Sequence, residues 1–177
     1  MWKILSSRDV YKNPWLKVKE DKVIIESGRE RTFTTVDIKP GVSVLVVDEK
    51  MSAYLSKGYQ YALDEEITGV TAGGGIDDGE SPLECAKREL KEETGFIASE
   101  WIELGKVHAI TSGIISSPNY LFLARNIEFG EKSLEDTEKI TTSKLPLKDA
   151  FDMVISGEIT HSASAVLIMK AWNYLNN

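Results

Sequence analysis

The stretch on which the fold of this chain turns is Gly74-Gly75-Ile76-Asp77-Asp78-Gly79-Glu80-Ser81-Pro82-Leu83-Glu84-Cys85-Ala86-Lys87-Arg88-Glu89-Leu90-Lys91-Glu92-Glu93-Thr94-Gly95-Phe96. Its second half reads as a short helix from Pro82 to Thr94. Ser81 is a favourable N-cap, and proline suits the first helical position. Gly95 stands where a helix ends on a glycine. Leu83, Ala86 and Leu90 make an apolar stripe at offsets of three and four, so this helix lies on a core. Glu89, Glu92 and Glu93 gather on one side of it, because residues three and four apart are neighbours on a helix surface. Like charges at that spacing repel by a few tenths of a kcal/mol per exposed pair, roughly. Arg88 offsets part of this through Glu84 or Glu92. Such a cluster is either a solvated charged face or a site for a hard divalent cation, which takes oxygen ligands and bridges carboxylates to phosphates. Spacing alone leaves both readings open.

Outward from the helix, the chain alternates between strand and helix signals. The first forty residues are strand-rich: Trp15 to Lys19 alternates, Val23-Ile24-Ile25 is a compact apolar run, and Thr32 to Val36 has strand composition. Ser27-Gly28-Arg29-Glu30 reads as a hairpin turn. Val42 to Val47 is a buried central strand, continued by Ala53-Tyr54-Leu55. The glycine-rich Gly69 to Gly79 is a loop, or a short strand leading into one. Trp101 to Ile110 and Tyr120 to Ala124 are strands around an irregular Thr111–Pro118 loop. Two helices close the chain: Leu147, Ala150, Phe151, Val154 and Ile155 keep helical spacing up to Gly157, and Ala163, Val166, Leu167, Ala171 and Tyr174 keep it again. The pattern predicts one α+β domain over residues 1–177 with a mostly antiparallel or mixed sheet.

Composition narrows the setting. The chain has 177 residues, 42% of them apolar and 28% charged, which is ordinary for a globular protein. No apolar run approaches the ~20 residues of a membrane span. The first residues lack the features of a signal peptide, so the expected location is the cytoplasm, with no membrane partner. The one cysteine, Cys85, excludes an internal disulfide, and without a base partner it reads as a packed side chain. His108 and His161 read as structural. A net charge of -7 gives no global attraction for a nucleic-acid backbone, so none is expected as a partner. An acidic protein that handles phosphate needs a local reversal of sign, and a carboxylate-bound cation provides one.

The segment Gly74-x5-Glu80-x7-Arg88-Glu89-Leu90-x-Glu92-Glu93-x-Gly95-Phe96 resembles the signature of the Nudix hydrolases at every fixed position, with Phe96 standing where a bulky aliphatic residue is usual. The resemblance implies an α/β/α sandwich with a mixed sheet. It implies a loop–helix–loop in which Glu89, Glu92 and Glu93 hold Mg2+ or Mn2+, with Glu92 close to the catalytic step. Arg88 would orient a glutamate, Glu80 would support the loop or the water shell of the metal, and Gly74 and Gly95 would permit the turns.

Outside the signature the chain is similar to the ADP-ribose pyrophosphatase and nucleoside-diphosphate-sugar hydrolase branch of that family. The likeness lies in the strand-rich N-terminus with Tyr11 to Trp15, in Gly58-Tyr59-Gln60-Tyr61, and in the helix start at Gly157 to Thr160. That branch implies a backbone carbonyl at Gly73 as a further metal ligand. It also implies a glutamate on a downstream loop that prepares the attacking water: Glu138, with Glu135 and Asp136 as rivals. It implies a homodimer built with the N-terminal strands (1–40) beside a 41–177 core. Trp15, Tyr59, Gln60 and Tyr61 are the candidate contacts to a nucleotide, since aromatic rings stack on bases. Ala62, Val70 and Thr111 depart from the branch, which has Arg, Glu and Pro there. The expected reaction is hydrolysis of a nucleoside-diphosphate sugar such as ADP-ribose to a nucleoside monophosphate and a sugar phosphate. The alternatives are a pyrophosphatase for nucleoside triphosphates or oxidised nucleotides, and a nucleotide-binding module without catalysis.

Overall fold

The structure is a computed structural model and describes residues 2–108, 113–129 and 141–177. It forms two compact units, Met1–Pro40 with His108–Pro118, and Gly41–Val107 with Asn119–Asn177.

The first unit is a four-stranded sheet. β1 (Lys3–Lys12) pairs antiparallel with β2 (Leu16–Ile24), and β2 pairs antiparallel with β3 (Glu30–Ile38). The short β9 (Ile115–Ser116) adds a parallel rung to β3. The β1–β2 connection is set by Asn13, whose side-chain oxygen accepts the backbone N–H groups of Trp15 and Leu16, each at 2.8 Å. The β2–β3 turn uses Gly28 at φ 78°, a left-handed conformation that glycine adopts without a Cβ penalty. Val23 and Asp21 are the buried residues of this sheet, and all ten residues of β1 are exposed.

The second unit is the expected α/β/α sandwich. Its sheet comprises β4 (Gly41–Val47), β5 (Ser52–Gln60), β6 (Glu65–Gly69), β7 (Ala72–Gly75), β8 (Phe96–Val107), β10 (Asn119–Phe129) and β11 (Thr141–Pro146). The order is β11-β5-β4-β10-β8, with β6 on β5 and β7 on β4. The central β4–β10 pair is parallel and the other pairs are antiparallel, so the sheet is mixed. The helices are α1 (Pro82–Thr94), α2 (Leu147–Ile155) and α3 (Ser162–Asn176).

The two-residue period of a strand sorts the core into two layers. On β4, Val42, Val44 and Val46 face one way and join Cys85, Ala86 and Leu90 of α1. Leu45 and Val47 face the other way and join Leu147, Ala150, Leu167 and Ile168 of the last two helices. β10 divides likewise: Phe122 and Ala124 lie with α1, and Leu121 and Leu123 with α2 and α3. A strand buried on both faces reads as a continuous apolar run, which is why Val42 to Val47 is legible in the sequence.

β6 and β11 were not among the predicted strands. Both lie beside β5 rather than at the centre and carry Glu65-Glu66 and Thr141-Thr142-Ser143-Lys144. Neither shows an apolar alternation. The expected end of one strand at Ile110, the start of the irregular loop at Thr111, and the loop candidates Glu135, Asp136 and Glu138 lie outside the described residues.

Candidate active site

The site is assembled where the second half of α1 faces β7. Ser81 caps the helix in a reciprocal box: its hydroxyl accepts the Glu84 N–H, and the Glu84 carboxylate accepts the Ser81 N–H at 2.8 Å. The spacing Ser-x-x-Glu was readable in the sequence as such a box. Glu84 is therefore turned back to the cap, and the pairing of Arg88 with Glu84 that helical spacing allows is not made. At the other end Gly95 takes φ 75° and closes the helix on the carbonyl of Lys91.

Arg88 is the hub. Its Nε and Nη2 donate to the two oxygens of Glu80 at 2.9 and 3.1 Å, a forked pair across the loop. Nη1 donates to Glu89 at 2.8 Å and to Glu92 at 3.1 Å, and Nη2 also donates to the Gly75 carbonyl at 3.2 Å. One guanidinium thus binds three carboxylates and the loop backbone, which its planar five-donor geometry suits. The consequence for Glu80 is a pKa held down to about 2, mainly by the hydrogen bond from Arg88. The same contacts push the Arg88 pKa up, so the cation is permanent.

Glu89 and Glu93 reach the loop strand β7. Gly73 donates its N–H to Glu93 Oε1 at 3.1 Å. The Glu89 carboxylate lies so close against Gly74 that a Cβ there would overlap it. A Cβ on Gly73 would come to 2.7 Å from the Val42 carbonyl. Two consecutive residues without side chains let the loop backbone meet the carboxylates directly. Glu93 is buried at 7% exposure, while the Glu92 side chain is half exposed. Gly73, Gly74, Glu80, Arg88, Glu89, Glu92 and Glu93 therefore converge, and Gly95 stands at the helix end.

The donors here are all oxygen, carboxylate and backbone, and two of the carboxylates lie against the Gly73–Gly74 backbone. This set fits a hard divalent cation. Among the described residues no three His, Cys, Asp or Glu groups already stand in metal-holding geometry, because the Arg88 guanidinium lies between Glu89 and Glu92.

Tyr59, Gln60 and Tyr61 sit at the tip of the β5–β6 hairpin, exposed, with the Tyr59 hydroxyl donating to Asp64 at 2.8 Å. Trp15 belongs to the first unit, is 66% exposed, and has Lys39 Nζ 5.8 Å from its ring centre. Val70 is buried in the core with Leu55 and Ile159. His108 is exposed, and His161 precedes the first turn of α3. Cys85 is fully buried, and burial pushes its thiol up to about 12, which removes it as a nucleophile.

Residues 37–155 match the NUDIX domain family, and residues 2–36 match the nucleoside diphosphate sugar hydrolase N-terminal domain. The chain belongs to the Nudix family of hydrolases. Among its relatives is the CMP-5'-(N-acetyl-N-hydroxy-3-aminopropyl)phosphonate hydrolase of Streptomyces rubellomurinus, 29% identical over 72% of this chain and 61% of that one. This chain thus spans less than two thirds of that relative. The ADP-ribose pyrophosphatase of Bacillus subtilis is 24% identical over 94% of this chain and 90% of its own. A solved structure of an ADP compounds hydrolase shares the fold, with a TM-score of 0.84 at 22% identity, covering 99% of this chain and 94% of that one.

Proposed function

We propose that the chain hydrolyses the diphosphate linkage of a nucleoside-diphosphate sugar such as ADP-ribose, releasing a nucleoside monophosphate and a sugar phosphate, with Mg2+ or Mn2+ as cofactor. The observation that carries this reading is the Glu80–Arg88–Glu89–Glu92 network set against the Gly73–Gly75 backbone. The N-terminal match and the Bacillus subtilis relative support the sugar class.

Glu89, Glu92, Glu93 and the Gly73 carbonyl hold the cation. When bound, a divalent cation neutralises phosphate charge and lowers the pKa of a coordinated water. Arg88 keeps Glu89 and Glu92 in place from their shared side and ties them to Glu80. Glu80 is an anion at any working pH, and a group with a pKa near 2 is a poor base at neutrality. The general base is assigned to the loop acids that the family resemblance implies, Glu138 before Glu135 and Asp136. Trp15, Tyr59, Gln60 and Tyr61 contact the nucleotide. The protein works in the cytoplasm on a small-molecule substrate and not on nucleic acid. It is a homodimer through its N-terminal strands: a sheet that leaves Ile4, Leu5, Val10 and Tyr11 exposed on one strand offers apolar surface for a second copy.

The test is a panel of ADP-ribose, other nucleoside-diphosphate sugars and nucleoside triphosphates, each with Mg2+ and Mn2+, with products identified by mass. Monophosphate plus sugar phosphate from a diphosphate sugar is the expected result. Pyrophosphate release from triphosphates alone points to the sanitising alternative, and nucleotide binding without turnover to the non-catalytic one. Near-wild-type turnover in Glu93→Gln at saturating Mg2+ would remove Glu93 from the ligand set.

A further inference from the structure

The strand that carries Gly73 and Gly74 begins with a crossover. β6 pairs with β5, β7 pairs with β4, and Val70-Thr71 link them outside either strand. Hydroxyls take the place of a ladder there. Ser56 on β5 donates to the Val70 carbonyl at 2.5 Å and reaches the Thr71 carbonyl at 3.2 Å. The Thr71 hydroxyl accepts the Val46 N–H at 2.7 Å and donates to the Tyr54 carbonyl at 2.5 Å. It thereby bridges β4 and β5 where β4 changes partner from β7 to β5. Ser164, on the first turn of α3, accepts the Val70 N–H at 3.0 Å.

Ser164 and Thr71 are fully buried. The Ser164 oxygen lies 2.8 Å from His161 Nδ1. The oxygen has a second lone pair beside the one that takes the Val70 N–H, so the tautomer of His161 sets the direction of this bond: a neutral imidazole protonated at Nε2 accepts the Ser164 proton at Nδ1, and one protonated at Nδ1 donates to Ser164. Burial lowers the His161 pKa and favours the neutral ring. Gly69 leaves room for the contact, since a Cβ there would come to 3.0 Å from the Ser164 oxygen.

We infer that Ser56, Thr71 and Ser164, with His161 hydrogen-bonded to Ser164, are positioning residues: a hydroxyl clamp on Val70-Thr71 that sets where the Gly73–Gly74 backbone meets Glu89 and Glu93. The clamp lies two to four residues from those glycines, about 7–13 Å of extended chain. It joins β4, β5 and α3, so the last helix of the chain acts on a site formed by the first. The glutamates are aimed by their own helix. The backbone that they meet is aimed by the clamp. This inference rests on the cation-binding reading above.

The test measures Mn2+ affinity of the metal-free protein by calorimetry for wild type, Ser164→Ala and Ser56→Ala. Ser143→Ala is the control, because it removes a hydroxyl bonded to the Leu55 carbonyl on the neighbouring strand, outside the clamp. Thermal midpoints without metal are recorded alongside. The expected result is Mn2+ binding about ten-fold weaker in both clamp variants, the low end for groups that support metal ligands, and unchanged in the control. Ser56 is only half-buried, so its variant keeps the question open to measurement should Ser164→Ala not fold. Wild-type Mn2+ affinity in the clamp variants, whatever their melting temperatures, overturns the inference and leaves the functional reading intact. A wild-type protein that binds no Mn2+ overturns both.

Discussion

Replacing Arg88 with methionine keeps the aliphatic stem and removes the cation from among Glu80, Glu89 and Glu92. Two limits bracket the cost. Exposed ion pairs contribute about 0.2–1 kcal/mol. Removing one partner of a buried pair costs about 3–5 kcal/mol, because the other charge is left uncompensated. Here the side chains of Glu80 and Glu89 are 15% and 14% exposed, and that of Arg88 is 31% exposed. The site thus lies between the two limits, nearer the buried one for Glu80 and Glu89 and nearer the exposed one for Glu92 at 47%, with three carboxylates losing a shared partner at once. The expected loss is about 3 kcal/mol at neutral pH without divalent cations. For a chain of this size that is a fall of about 6–12 °C in the melting temperature.

The effect carries a pH signature. Glu80 titrates at about 2 in the folded protein against an ordinary 4.5. A depressed carboxylate pKa stabilises above the unfolded value and ceases to as pH falls through the folded one. The stability gap between wild type and Arg88→Met should therefore be full above pH 4.5 and narrow steadily towards pH 2. Thermal and urea denaturation of both proteins in chelator, from pH 7 down to pH 2.5, measure it. A gap below ~1 kcal/mol at pH 7 would mean that the network behaves as a surface ion pair. A gap that widens on acidification would refute the charge argument outright.

Gly74→Ala places a methyl group in the space of the Glu89 carboxylate, so turnover should fall about ten- to a hundred-fold with the helix content of the protein unchanged. Steady-state kinetics beside far-ultraviolet circular dichroism check this, and more than half of the wild-type rate would contradict the close approach. Light scattering at micromolar concentration should give twice the chain mass, and a single-chain mass removes the homodimer.

The parts of this protein legible in its sequence are those in which neighbours along the chain are also neighbours in space. Ser81, Pro82 and Gly95 bound α1 through contacts within three or four residues. The near-continuous apolar run of Val42 to Val47 is legible because β4 is buried on both faces. The polar strands β6 and β11 were not legible, since nothing in Glu65-Glu66 or Thr141 to Lys144 distinguishes a sheet strand from a solvated loop. The Nudix signature brought Glu80 and Gly74 into the site across eight to fifteen residues, a distance over which periodicity says nothing.

By itself the sequence determined the helix and the clustering of Glu89, Glu92 and Glu93 on one side, because a 3.6-residue repeat fixes those relations locally. Of the expected stripe, Ala86 and Leu90 are buried, while Leu83, in the first turn, is exposed. The sequence left the glutamate cluster open between a solvated face and a cation site. Only the tertiary structure decided how Arg88 divides its donors among Glu80, Glu89 and Glu92 while Glu84 turns to the cap. It alone placed Gly74 under Glu89, and the Ser164 hydroxyl against an amide 94 positions away. The physical reason is range. A hydrogen bond reaches about 3 Å in space and carries no mark in the chain between its partners.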